Sequence, residues 1–312
     1  MSDLQFKGNK LSAIQGLKNG FLSGPFQTEF KLDNGVIVSI SQMTKRWIEF
    51  TSDSPMTSDE FIFIFQGVEK LLMLFDGKFC TIEKLIVSNN NEETVDVLSE
   101  YNKIRLNYFS SKNLYQYSWL KIISFQEILT NDLYKRWLSL IRDLDIAFQV
   151  FLYALSDNKM TVDLNFAFLV ELAEPFVELL KERTYYCQTL IPGERGTTLK
   201  MCVDNLIVLY GGDIFAKELE DDYTLFLERV VKSRVRIMHI KKNQKDFFDG
   251  KECIKYSLKF SLLYRRILLS LLGVPYQEYK ENIKIELDIL QEYPKRNLHY
   301  TVQKKRFYKI KG

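Results

Sequence analysis

Histidine is nearly absent from this chain: of 312 residues only His239 and His299 carry an imidazole. General acid–base chemistry near neutral pH therefore has very few places to reside. Cysteine is scarce as well. Cys80, Cys187, Cys202 and Cys253 are far apart, form no CxxC pair and have no flanking histidine, which excludes the usual zinc spacings and a disulfide framework and points to reduced, mostly buried thiols. No stretch approaches the roughly 18 apolar residues of a membrane span, since the longest candidate is interrupted by Asp143 and Asp145. The opening MSDLQFKGNKLSAIQ lacks the charged–apolar–small order of a signal peptide, so a cytoplasmic location without a membrane partner is expected. The chain has no GxxxxGK[ST], GxGxxG after a strand, HExxH or GxSxG. Their absence removes the commonest nucleotide, metalloprotease and hydrolase readings, and no metal or cofactor is expected. Charge of one sign is missing too: 43 basic against 40 acidic residues leave +3, so any polyanion site must be local.

What the chain does have is apolar material, 46% hydrophobic and 14% aromatic, enough for a real core. At about 150 residues per domain its length predicts two domains. Up to about residue 125, short runs of Phe, Ile, Val and Tyr separated by turn residues read as antiparallel strands. Residues 29–32 and 36–40 flank Asp33-Asn34-Gly35, and 68–75 and 78–87 flank Asp76-Gly77; both are tight-hairpin signals. Segments 46–51, 60–65, 94–98, 104–109 and 119–125 extend the set, and the expectation is a β-sandwich-like module over residues 1–128.

Beyond Asn131 the period changes to 3.6: Leu133, Trp137, Leu140, Leu144, Phe148 and Phe151 fall on one stripe behind a cap at Thr130 or Asn131. Further helices are predicted over 164–183, kinked at Pro175, and over 198–210, 222–240, 253–272 and 276–292. Residues 129–312 thus read as an all-α bundle. The fold class expected is α+β in two modules. Glu171 and Glu174 share a predicted helix face, where carboxylates at that spacing cap or face solvent.

The chemically distinctive segment is Arg229-Val-Val-Lys-Ser-Arg-Val-Arg-Ile-Met-His-Ile-Lys-Lys-Asn-Gln-Lys245, with seven Lys or Arg and no acid. A helix so one-sided repels itself, a cost most readily tolerated beside a polyanion. His239 adds the one group able to move a proton beside cations able to stabilise phosphate charge.

Within it, Arg234-Val-Arg-Ile-Met-His239 fits an Arg-x4-His pattern and resembles the motif of HEPN domains. These are small helical bundles that are often metal-independent endoribonucleases. The preceding segments Phe166-Ala-Phe-Leu-Val-Glu-Leu-Ala-Glu174 and Leu199-Lys-Met-Cys-Val-Asp-Asn-Leu206, together with the β-rich first half, resemble ApeA-like HEPN proteins. What the resemblance implies is a homodimer whose composite cleft cuts RNA, possible substrates including tRNA, by activating the ribose 2′-hydroxyl. His239 would be the acid/base group and Arg234 the phosphate-positioning residue, in a bacterial phage-defence (abortive-infection) or toxin-like role, with a trigger or regulatory partner at the β module. Lys232, Arg236, Lys241 and Lys242 would contact RNA. The position after the motif arginine, commonly Asn in the family, is Val235, with Arg236 available to substitute. That departure favours the alternative, a non-catalytic HEPN-type RNA- or nucleotide-binding or scaffold protein. His299 lies in a basic, aromatic tail over 291–312 and is not read as catalytic.

Overall fold

The computed structural model of the chain describes residues 6–16, 26–42, 45–76, 81–104, 123, 128–155, 161–184, 186–188, 190, 196–241 and 245–292. The chain divides into two compact units, Met1–Ser139 and Leu140–Gly312, the first built on an antiparallel sheet and the second on helices. No helix among the described residues is long and apolar enough to cross a membrane.

In the first unit, β1 (Lys7–Gly16), β2 (Phe26–Lys31), β3 (Ile37–Gln42), β4 (Lys45–Thr57), β5 (Thr81–Ser88) and β6 (Thr94–Asp96) form one six-stranded sheet. Its order is β2-β3-β4-β1-β5-β6. The Asp33-Asn34-Gly35 hairpin forms as its residues demand: Gly35 adopts φ 85°, and Leu32 N–H reaches the Val36 carbonyl at 2.8 Å. A left-handed turn position of this kind is open to glycine without steric cost.

The second expected hairpin does not form. Residues 58–76 are one helix, α1 (Ser58–Asp76), so segments 60–65 and 68–75 are not strands, and β5 pairs instead with β1 and β6. The physical reason is a capping box: Thr57 N–H donates to Glu60 Oε2 at 2.8 Å and Glu60 N–H to Thr57 Oγ1 at 3.3 Å, which satisfies two orphan donors at the helix start. Buried nearly all round, α1 carries apolar residues on most of its faces, and this density hides the 3.6 period. Nor do the described residues form a sandwich. Among the described residues there is one sheet, and the layer against it is α1, where Phe65 meets Phe50 of β4 edge-on at 6.1 Å. Residues 94–98 are the short β6 followed by α2 (Leu98–Ile104), whose Tyr101 packs on Phe65. The expected strands at 104–109 and 119–125 fall, apart from Ile104 at the end of α2 and the buried Ile123, outside the described residues.

Strand register explains the buried charge in this unit. Gln15 and Gln42 both stand opposite Arg46, so the three side chains line up on the inward face. Arg46 donates to Gln42 at 3.0 and 3.1 Å, to Gln15 at 3.3 Å and to Asp76, at the end of α1, at 2.8 Å. A charge so buried persists only when paired and hydrogen-bonded.

Helix α3 (Asn131–Leu155) is capped by Thr130, whose hydroxyl accepts from Leu133 N–H at 3.2 Å. Its first turns pack on α1: Tyr134 donates to the Ile64 carbonyl and Trp137 to that of Gly67. Gly67 permits this approach, because a Cβ there would collide with the Tyr134 hydroxyl. The helix is interrupted at Asp145, with φ 40° and ψ −113°.

The second unit holds α4 (Val162–Glu171), α5 (Ala173–Arg183), α6 (Leu199–Tyr210), α7 (Ala216–Glu220), α8 (Tyr223–Met238), α9 (Gly250–Leu271) and α10 (Lys280–Glu292). The helix expected over 164–183 is therefore two, broken at Leu172. Pro175 has no N–H to offer the Glu171 carbonyl, so α4 ends there and the proline sits in the first turn of α5, where it is tolerated. Helix α9 begins earlier than its apolar pattern, on an Asp249/Glu252 capping box. It packs against α4, α6 and α10 around Phe166, Phe176, Phe260 and Tyr264, whose hydroxyl donates to the Leu169 carbonyl at 2.5 Å.

Candidate functional site

Helix α8 carries the basic segment. Asp222 caps its start, accepting from Leu225 N–H at 3.0 Å, and the helix ends in a Schellman motif. There Lys241 N–H reaches the Arg236 carbonyl at 3.0 Å and Ile240 N–H the Ile237 carbonyl at 3.4 Å. His239 is the C-cap residue and is exposed. Its imidazole has no hydrogen bond or ion pair among the described residues.

Arg234 is held elsewhere. Its Nε and Nη2 donate to the two carboxylate oxygens of Glu171 at 2.5 and 2.7 Å, a fork-to-fork pair that ties α8 to the end of α4. Five residues of helix place Arg234 and His239 about 140° apart around the axis. Glu171 is thus the residue whose role its own helix did not reveal: its partner lies 63 positions away in sequence, and no local pattern encodes that.

The other cations divide into two groups. Arg229 pairs with Glu252 at 2.8 Å and donates to the Phe247 carbonyl; Lys232 lies 3.5 Å from Glu228 and 3.7 Å from Asp246. The segment that lacks acids in sequence is therefore supplied with them by the first turns of α8, by α4, by the loop before α9 and by α9 itself. Arg236, Lys241 and Lys245 form no ion pair among the described residues. The guanidinium of Arg236 lies 3.8 Å over the Phe247 ring, and its Nε is buried without a hydrogen-bond partner. Lys242 and His299 lie outside the described residues.

Ser233 fixes the returning loop. It is buried, and its hydroxyl donates to the Arg229 carbonyl and accepts from Phe248 N–H, both at 2.7 Å. Between the start of α4 and the end of α8 opens a cleft of about 350 Å³ lined by Thr161, Asp163, Leu164, Arg236, Ile237, Ile240 and Lys241. Thr161 is also the cap of α4, accepting from Leu164 N–H at 3.3 Å. Burial pushes the Cys202 thiol up to about 11 and the Cys253 thiol higher still, so both are neutral thiols at physiological pH. Among the described residues no three His, Cys, Asp or Glu side chains gather as a metal site.

Comparison of the chain with protein families, with curated proteins and with solved structures finds no match. The arrangement defines an α+β protein whose helical unit presents an exposed histidine at the end of a basic helix, beside a cleft of mixed charge.

Proposed function

We propose that the chain is a metal-independent endoribonuclease of the HEPN type, acting on RNA in the cytoplasm as an effector of bacterial phage defence. The observation that carries this reading is His239: an exposed imidazole, without a hydrogen bond or ion pair among the described residues, at the end of a basic helix and five positions from an arginine already oriented by a carboxylate. Glu171 takes two of the guanidinium's five N–H donors, so the remaining three stay available to a phosphate, and the guanidinium reaches it pre-oriented.

In the reaction envisaged, two copies of the chain contribute one site. One imidazole takes the 2′-hydroxyl proton as O2′ bonds to phosphorus, and the partner's imidazole protonates O5′ as the P–O5′ bond breaks. The products are a 2′,3′-cyclic phosphate and a 5′-hydroxyl. Arg234 balances the charge that grows on the phosphoryl oxygens.

A second reading, a non-catalytic RNA-binding or scaffold protein, is favoured by Val235 and by the carboxylates that already partner Arg229, Lys232 and Arg234. The two separate on cleavage of total RNA and tRNA by purified protein in EDTA, with light scattering for the dimer. His239→Ala is expected to slow cleavage by about 10²-fold or more. Arg234→Lys keeps a cation beside Glu171 and so serves as a fold control, yet it loses the forked geometry and is expected to slow cleavage as well. A wild-type protein that neither cuts nor binds RNA, even with infected-cell extract, overturns the nuclease reading.

A further inference from the structure

The cleft between the start of α4 and the end of α8 is lined by residues of both charge signs that form no ion pair among the described residues. Asp163 makes no ion pair among the described residues, and its carboxylate accepts a hydrogen bond from the buried Cys253 thiol. Arg236 and Lys241 make none either, and Arg236 Nε is buried unpartnered. A cleft lined by a carboxylate and two cations that form no ion pair among the described residues is complementary to a ligand with donors at one edge and acceptors at another. The walls are aliphatic: Ile237, Leu164, which is 38% exposed, and Ile240, which is 82% exposed. Apolar walls of this kind suit the faces of a flat ring. The volume, about 350 Å³, is at the lower end of the roughly 300–1,000 Å³ typical of small-ligand pockets.

Among RNA bases only guanine presents two adjacent donors, N1–H and the exocyclic amine, to a single carboxylate, with acceptors O6 and N7 on its far side for a cation. Adenine and cytosine set a ring acceptor beside their amine, which a carboxylate repels, and uracil offers one donor between two acceptors. We infer that this cleft seats an unstacked guanine nucleotide. Asp163 accepts from N1–H and the amine, Arg236 donates to O6 and N7, and Lys241 meets the adjoining phosphate. This inference rests on the RNA reading of α8 and deepens it, because a base seated against Ile237 and Ile240 lies next to His239 in the chain and would select where the backbone is cut.

The test is fluorescence anisotropy of the 312-residue chain with the pentamers UUGUU, UUAUU, UUCUU and UUUUU, with UUIUU, whose inosine lacks the amine, and with guanosine 5′-monophosphate as competitor. UUGUU is expected to bind about tenfold or more tighter than the other natural pentamers, with UUIUU between. Asp163→Asn brings UUGUU down to the level of UUUUU. Arg236→Met, which keeps an unbranched aliphatic stem beside Phe247, does the same, so a folding defect in one variant leaves the other to decide. Lys241→Ala lowers every pentamer by the same factor. Equal affinity for all natural pentamers overturns the guanine seat while leaving the nuclease reading intact, since that is judged by His239-dependent cleavage. Binding of guanosine 5′-monophosphate that Asp163→Asn abolishes, without binding of any pentamer, upholds the seat for free nucleotide and removes RNA as its source. Failure of both the pentamers and the mononucleotide overturns the inference.

Discussion

Ile240 is the residue where local rules and the site disagree most. It occupies the C′ position of a Schellman motif with φ 51°, a conformation in which glycine is the usual occupant and a β-branched side chain is strained. It is also 82% exposed, so burial does not repay the strain, and its side chain lines the cleft. The expected outcome of Ile240→Gly is a gain of about 1 kcal/mol in unfolding free energy by urea denaturation, together with weaker ligand binding as one apolar wall is removed. A loss of stability would show that the isoleucine side chain makes contacts worth more than its backbone strain. Strain retained beside a candidate site is the pattern expected when a position serves function at the expense of stability.

At the level of elements, helix α10 is docked on α9 through a carboxylic acid under tension. Glu286 is buried, one of its oxygens has no hydrogen-bond partner among the described residues, and burial pushes its carboxyl up to about 8 from an ordinary 4.5, with Arg265 of α9 pulling the other way. Below about pH 4.5 the group is protonated in folded and unfolded chains alike. Between there and about 8 the folded chain keeps a proton that the unfolded chain has lost, so stability falls as pH rises and levels off above 8. Glu286→Gln is expected to remove that slope and to exceed the wild type in stability at pH 8, as read by urea unfolding across a pH series; parallel curves for the two proteins would refute it. Elements of this kind were only partly legible in the sequence. The Asn34-Gly35 hairpin, the Thr130 cap of α3 and the course of α8 from Asp222 were all visible, because a short-range signal fixes each. The sequence of α1 reads as strands although Thr57 and Glu60 carry a capping box; a helix buried nearly all round shows little amphipathic contrast, and its Phe and Ile content imitates a strand.

On the scale of the whole molecule, a net charge of +3 concealed how the basic segment is balanced. The positions of Arg234, Arg236 and His239 on one helix could be read from spacing. The partners of that helix could not, since Glu171 and Glu252 reach it through tertiary packing alone. This balance sets how the proposed RNA binding should respond to salt. Cations already paired with carboxylates release few counterions on meeting phosphate, whereas Lys241 and Lys245, which form no ion pair among the described residues, release theirs in full. Each single-strand phosphate contact contributes a slope of about −0.7 in log K against log salt concentration. Lys241→Ala and Lys245→Ala are therefore each expected to flatten the slope by about 0.7. Arg229→Ala, whose guanidinium is committed to Glu252 at 2.8 Å and to the Phe247 carbonyl, is expected to leave the slope nearly unchanged and instead to lower stability, since it leaves Glu252 without its cation. Titrations at 50, 100 and 200 mM salt distinguish the two classes. Equal flattening by all three substitutions would mean that RNA displaces the internal carboxylates, and the basic helix would then act as a uniform polyanion surface rather than as a site in which Lys241 and Lys245 carry the phosphate contacts.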